Sequence, residues 1–207
     1  MNHVENIFVY GSLTEGMVHY DRVKSFVKNV QPAWATAHCY RLPVGYPVML
    51  ESDSGRTDRV PTRVYGQLLE IEARDVVFKI LDEFHGFNPV QLEKSLFFKK
   101  PITIEFEDGS TKEALTYFVN PAKLPPQSIH LEDGDWRKSL QSYPAMTHQL
   151  SDAQVTYVRR LGASTGREIV PIDLGLYREL MKLELIVDKG RRLALTKLGK
   201  DVFKYLS

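Results

Sequence analysis

Apolar residues in the first 120 or so positions fall into short runs with partly alternating flanks, the pattern of strands. Residues 4–10 form one such run, ended by Gly11, and read as a buried strand. Residues 17–30 instead space Val18, Arg22, Val23, Phe26 and Val27 as a helix would, stopped by Asn29 and Pro32. Residues 33–50 give two strand-like pieces around Leu42-Pro43 and Gly45-Tyr46-Pro47. The polar residues 52–61, with Gly55 and mixed charges, predict a surface loop, and residues 63–71 a further strand. From 73 to 84, Val76, Val77, Ile80, Leu81 and Phe84 share one face of an amphipathic helix that Gly86 closes. Residues 101–106 and 112–119 pair as strands across a Glu107-Asp108-Gly109-Ser110 turn, and residues 120–134 are proline-rich and irregular. Strands that outnumber helices, without βαβ alternation, predict an α+β fold: a small mixed β-barrel with flanking helices.

The pattern changes after Pro144. Ser151 and Asp152 can cap a helix with Val155, Val158 and Leu161 as its apolar positions. Asp173 caps a second, with Leu176, Tyr177, Leu180, Met181 and Leu183 turned inward. Residues 185–187 and 193–195 form a hairpin across Asp188-Lys189-Gly190, and Thr196 caps a last helix. Helix, helix, hairpin, helix is what remains of a winged-helix domain whose first helix is short or missing. Charge shifts at the same place: residues 150–207 hold 11 basic and 7 acidic side chains, residues 1–149 hold 16 and 19. The uncharged residues 145–149 mark the boundary, giving a barrel domain over 1–144 and a winged-helix-like domain over 145–207.

Composition narrows the functional classes. With 43% apolar and 26% charged residues, wholesale disorder is excluded. A net charge of +1 gives no global steering toward nucleic acid or an anionic membrane. No apolar run approaches the ~20 residues of a membrane span, and the first residues lack the basic and apolar regions of a signal peptide. The single cysteine, Cys39, forms no internal disulfide and reads as a small core hydrophobe; the expected location is the cytoplasm. No phosphate-loop or dinucleotide motif is present, and six histidines without metal-ligand spacing predict neither metal nor cofactor. Arg191 and Arg192 on the wing, with Arg159, Arg160, Lys197, Lys200 and Lys204, raise DNA binding. Asp173, Glu179 and Glu184 beside Arg178 and Lys182 suit a phosphate-lined groove poorly, which favours protein docking or self-association over nucleic acid.

One segment points to chemistry: Phe8-Val9-Tyr10-Gly11-Ser12-Leu13, a strand entering a glycine turn. Gly11 lets a ligand approach the backbone, and successive amides in such a turn form an anion nest; the plain alternative is a strand followed by a turn. Its company is informative. Together with Gly45-Tyr46-Pro47, Tyr65-Gly66-Gln67-Leu68, Leu81-Asp82-Glu83-Phe84-His85-Gly86 and Gly134-Asp135-Trp136, it resembles the gamma-glutamylcyclotransferase-like family over residues 4–140. The resemblance implies a small barrel in which Tyr10, Gly11, Ser12 and Leu13 hold the α-carboxylate and amide of a γ-glutamyl group. It also implies intramolecular chemistry: the substrate's α-amine attacks its own side-chain amide, releasing 5-oxoproline and an amine or amino acid, with no cofactor.

The family's base is a glutamate directly before the glycine of an LDxxEG pattern, and here His85 occupies that position. Three readings of His85 are open. It is the base, since imidazole titrates near ~6.5; or it binds a small γ-glutamyl or other carboxylate ligand in a pocket that no longer turns it over; or it is a helix-end histidine favoured by the dipole. Glu83 is the alternative carboxylate, but two residues away on a helix it points about 200° aside. The family's Tyr-x-Arg is also altered, to Leu92-Glu93-Lys94. Tyr117 either lines the pocket or packs within its strand, Trp136 either closes one rim or anchors a loop to the core, and Asp82 serves as a hydrogen-bonding partner.

Overall fold

The computed structural model describes residues 5–53, 59–165 and 168–206; residues 54–58 of the polar stretch expected as a loop lie outside the described residues. The chain divides into two units, Met1–Leu42 with Tyr46–Gln141, and Pro43–Gly45 with Ser142–Ser207.

The first unit contains β1 (Glu5–Val9), β2 (Val27–Arg41), β3 (Pro47–Leu50), β4 (Thr62–Ile71), β5 (Phe97–Glu105), β6 (Thr111–Val119) and β7 (Ile129–His130). Strands β2, β4, β1, β6 and β5 lie side by side in that order, and β2 meets β5 at Trp34–Glu105 and Ala35–Ile104 to close the barrel. Closure removes the open edges such a sheet would present. Strand β1 is antiparallel to β4 and parallel to β6, with Ile7 beside Leu115. Covered along both edges, its Ile7, Phe8 and Val9 are all buried, so the run reads as continuously apolar rather than alternating.

Strand β2 corrects the helix expected over residues 17–30. Only two single-turn 3-10 helices form there, Tyr20–Arg22 and Lys24–Phe26, and from Val27 the chain pairs with β4. Neither turn has a capping side chain, and β-branched Val23, Val27 and Val30 fit a strand ladder better than a helix. Pro32, expected to stop the segment, lies inside β2 opposite Gln67, where β4 is the one strand beside it. An otherwise open flank is where a strand tolerates proline. Beyond Ala37, β2 goes on to pair with β3 and β7.

Helix α1 (Arg74–His85) follows β4 and buries Val77, Phe78 and Leu81. Val76, expected on the covered face, is half exposed, whereas Phe78, which was not expected there, is buried. Gly86 ends the helix in the left-handed region at φ 62°, as its C-terminal position predicted. Helix α2 (Trp136–Ser142) begins with the buried Trp136, whose ring centroid is 5.8 Å from that of Tyr46.

The second unit holds α3 (Met146–Gln149), α4 (Asp152–Ala163), α5 (Leu174–Lys182), a hairpin of β8 (Ile186–Asp188) and β9 (Leu193–Leu195), and α6 (Lys197–Leu206). Each expected cap is present. Ser151 and Gln154 form a capping box, Asp173 accepts from the Leu176 amide, and Thr196 Oγ1 accepts from the Gly199 amide. Val158, Leu180, Leu185 and Val202 form its core. Gly199 brings α6 against the hairpin so closely that a Cβ there would lie 2.0 Å from the Leu185 carbonyl oxygen. Among the described residues no helix is long and apolar enough to cross a membrane.

Two outcomes follow for the barrel. A Cβ on Gly66 of β4 would lie 2.3 Å from the Val9 oxygen and 2.5 Å from the Phe8 ring. Gly66→Ala is therefore expected to cost about 3 kcal/mol, read as a lower urea midpoint at unchanged slope. Cys39 is wholly buried, and desolvation with the charges of Asp133 and Asp135 pushes its thiol up to about 12. Native protein at pH 8 is expected to leave a thiol-reactive dye unreacted, with one equivalent consumed after unfolding in urea.

Candidate active site

Three elements converge at the end of the barrel where β1 and β6 both finish: the turn after β1, the last turn of α1, and Tyr117 of β6. The turn is buried. Gly11, Ser12, Leu13 and Thr14 are all below the surface, and a Cβ on Gly11 would meet the Pro47 ring at 2.6 Å. That contact accounts for glycine at position 11 and joins the Gly45-Tyr46-Pro47 motif to the turn.

The loop is held by its own bonds and by two distant side chains. The Thr14 amide and hydroxyl both donate to the Gly11 carbonyl, at 3.0 and 2.7 Å. Arg137 donates to Thr14 Oγ1 at 2.7 Å and to the Glu15 carbonyl at 3.1 Å, while Gln67 Oε1 accepts from the Glu15 amide at 2.7 Å. Gln67 belongs to the Tyr-Gly-Gln-Leu motif and Arg137 follows Gly-Asp-Trp, so both motifs serve the same turn. Among the described residues, nothing accepts from the amides of Ser12 or Leu13. Two buried amides side by side, with the Arg137 guanidinium on the same loop, make a place that an anion would satisfy.

His85 ends α1. Its Nδ1 lies 2.9 Å from the Leu81 carbonyl, one helical turn back. A carbonyl only accepts, so Nδ1 bears the proton and Nε2 is the basic nitrogen of the neutral ring. The imidazole is stacked on Tyr117, with centroids 3.9 Å apart and planes 2° apart, and Phe97 meets it edge-on at 5.2 Å. Glu83 lies exposed on the other side of the helix, and the Gly86 amide bonds to its backbone carbonyl.

The two tyrosines present less polar surface than the sequence suggested. The Tyr10 hydroxyl donates to the Tyr117 carbonyl at 2.7 Å and accepts from the Met49 amide at 3.3 Å. Tyr117 donates its own hydroxyl to Asp82 at 2.5 Å, and Lys99 Nζ lies 2.9 Å from each Asp82 oxygen. Burial and the Asp82 carboxylate together raise the Tyr117 phenol above its ordinary range, so it stays a donor. Ser12 and Leu13 are buried at the turn, and Asp82 has the hydrogen-bonding place read for it.

His19 was not singled out from the sequence. Its ring is buried against Phe84 at 5.0 Å and Tyr46 at 6.2 Å, and its amide donates to the Ser12 carbonyl at 2.9 Å. Spacing gave no signal, because it assigned His19 to a helix that does not form. Lys99 stands two residues before the strand that spacing predicts over 101–106, in the part of β5 that only the structure adds. Among the described residues no group of three or more ligating side chains could hold a metal ion.

Several solved structures are similar in part. YkqA from Bacillus subtilis is 18% identical at a TM-score of 0.48, over 68% of this chain and 42% of that one. The chain thus spans less than half the length of YkqA. The uropathogenic E. coli-specific protein c4763 is 14% identical at 0.48, over 68% and 98% of the two chains. An AIG2-like protein from Mus musculus is 19% identical at 0.41, over 60% and 82%. A comparison with curated proteins yields no match. The sequence itself is more direct, because the motifs that meet at the turn and at the end of α1 all lie inside one matched region. Residues 7–138 match the model of the gamma-glutamyl cyclotransferase, AIG2-like family, and the chain belongs to that family.

Proposed function

We propose that the first unit releases 5-oxoproline from a γ-glutamyl amine or peptide, with His85 as the base. The observation that carries this reading is the orientation of His85, whose Nδ1–H is committed to the Leu81 carbonyl and whose basic nitrogen is therefore Nε2. The reaction needs little else. The α-amine nitrogen of the substrate bonds to its own side-chain amide carbon, and the bond from that carbon to the leaving nitrogen breaks. Two protons leave the α-nitrogen as the ammonium becomes the lactam N–H; each is taken in turn at Nε2 and passed to the leaving nitrogen, which departs as an ammonium, so no water enters and charge balances. Holding the chain folded for ring closure supplies several kcal/mol as a proximity effect. The Ser12 and Leu13 amides, beside Arg137, favour the substrate carboxylate at the turn.

For the second unit, the order α4, α5, hairpin, α6 supports a winged-helix-type module that docks protein or a second copy. Asp173 and Glu179 on and before α5, with Arg178 and Lys182, give that helix mixed charge rather than the basic face that DNA demands. The full chain is expected to leave duplex DNA unshifted in a gel assay at low salt.

The enzymatic reading is checked by following 5-oxoproline by mass spectrometry over a panel of γ-glutamyl amines and dipeptides. Native protein is expected to turn over at least one, and His85→Ala to lose about 10²- to 10⁴-fold in kcat. A silent native protein whose His85→Glu variant is active would overturn it in favour of a binding pocket without its base.

A further inference from the structure

We infer that Tyr117 and Asp82 form a positioning device for His85, one that sets where the imidazole points and how readily it accepts a proton. The inference rests on the reading of His85 as the base and names the residues that make it one.

The device is a closed circuit. Asp82 and His85 are three residues apart on α1, so they share one side of the helix. Tyr117 reaches them from β6: its ring lies flat on the imidazole at 3.9 Å while its hydroxyl donates to Asp82 at 2.5 Å. One helix therefore grips the same tyrosine twice, by its face and by its edge. Lys99 bridges both oxygens of Asp82 and lies 4.3 Å from the Phe78 ring centre, so the carboxylate is itself fixed and its charge compensated. The Tyr117 backbone is tied down by the Tyr10 hydroxyl.

A half-buried imidazole at a helix end would otherwise sample several rotamers. Here the Tyr117 face holds the imidazole in the plane from which Nδ1 reaches the Leu81 carbonyl, and that bond selects the tautomer, so the direction of Nε2 is determined before any substrate arrives. An electron-rich phenol face also favours the charged form that the imidazole takes on after accepting a proton. Tyr117 is thus a positioning residue: its hydroxyl is given to Asp82 and its ring to His85, so its one side-chain donor is already engaged.

The test uses the full chain, labelled with 15N at histidine. Long-range 15N–1H correlation is expected to show His85 protonated at Nδ1 in the native protein and as mixed tautomers in Tyr117→Leu. Kinetically, Tyr117→Leu is expected to lower kcat about 10- to 100-fold with KM within about threefold. Its pH profile should also change, the acid limb moving to lower pH. Tyr117→Phe keeps the stack and loses the Asp82 bond, so it is expected to recover most of kcat and the native acid limb while showing partial tautomer mixing. A folded Tyr117→Leu with native tautomer and native pH profile would overturn the inference. If Tyr117→Leu does not fold, a Tyr117→Phe spectrum identical to native does the same. A native protein that makes no 5-oxoproline sinks the base assignment alone, since the histidine spectra of the native and variant chains still decide whether Tyr117 positions the ring.

Discussion

Strand β1 runs antiparallel to β4 on one side and parallel to β6 on the other, and the candidate site depends on that parallel pairing. Two strands running the same way finish at the same end of a barrel. Chain leaving β1 turns at Tyr10–Thr14 just where β6 presents Tyr117, and the Tyr10 hydroxyl bonds to the Tyr117 carbonyl across the gap. Had β1 and β6 been antiparallel, the turn and Tyr117 would lie at opposite ends. Two further contacts keep the strands in register. Thr116 donates its hydroxyl to the Phe8 carbonyl at 2.9 Å, and Gly66 lets β4 lie close against Phe8 and Val9. A barrel closed on both sides of β1 has no slack with which to slip by a residue, since slippage would break its pairing with β4 and β6 together.

Around that end the polar groups largely satisfy one another. Tyr10, Tyr117, Asp82, Lys99, Thr14, Gln67 and Arg137 are all engaged in named bonds. Buried polar networks of this kind are costly when partly satisfied and rigid when complete. What they present for chemistry is a pair of buried turn amides and an imidazole of fixed tautomer. The Asp82 carboxylate, though it lies within one helical turn of His85, is bridged by Lys99 and accepts from Tyr117, which suits it to holding rather than to proton transfer. Family membership covers the region that holds the turn and the helix end.

Most of the barrel was legible in the sequence, and so were the helix caps of the second unit. Runs such as Ile7-Phe8-Val9, the Asp108-Gly109 turn and the Ser151 and Asp173 caps act over a few residues, so local chemistry decides them. Residues 17–30 were misread because their valines fit two periods, and the β4 edge that recruited Val27 and Val30 lies some forty residues along the chain. Val76 and Phe78 lie on different sides of α1, and the barrel wall decides that Phe78 is covered and Val76 is not.

The same division holds for the site. Sequence alone brought out the motifs that resemble the family's pattern, the expectation of a glutamate where His85 stands, and the different side of the helix to which Glu83 belongs. Those are matters of order and helical period. Only the tertiary structure decided that Tyr117 lies on the imidazole, that Asp82 and Lys99 hold Tyr117, that Arg137 braces the turn, and that His19 is buried beside Phe84. Each of those contacts joins residues from different strands and helices, and distances of that kind are set by barrel closure and strand register rather than by any local preference of the chain.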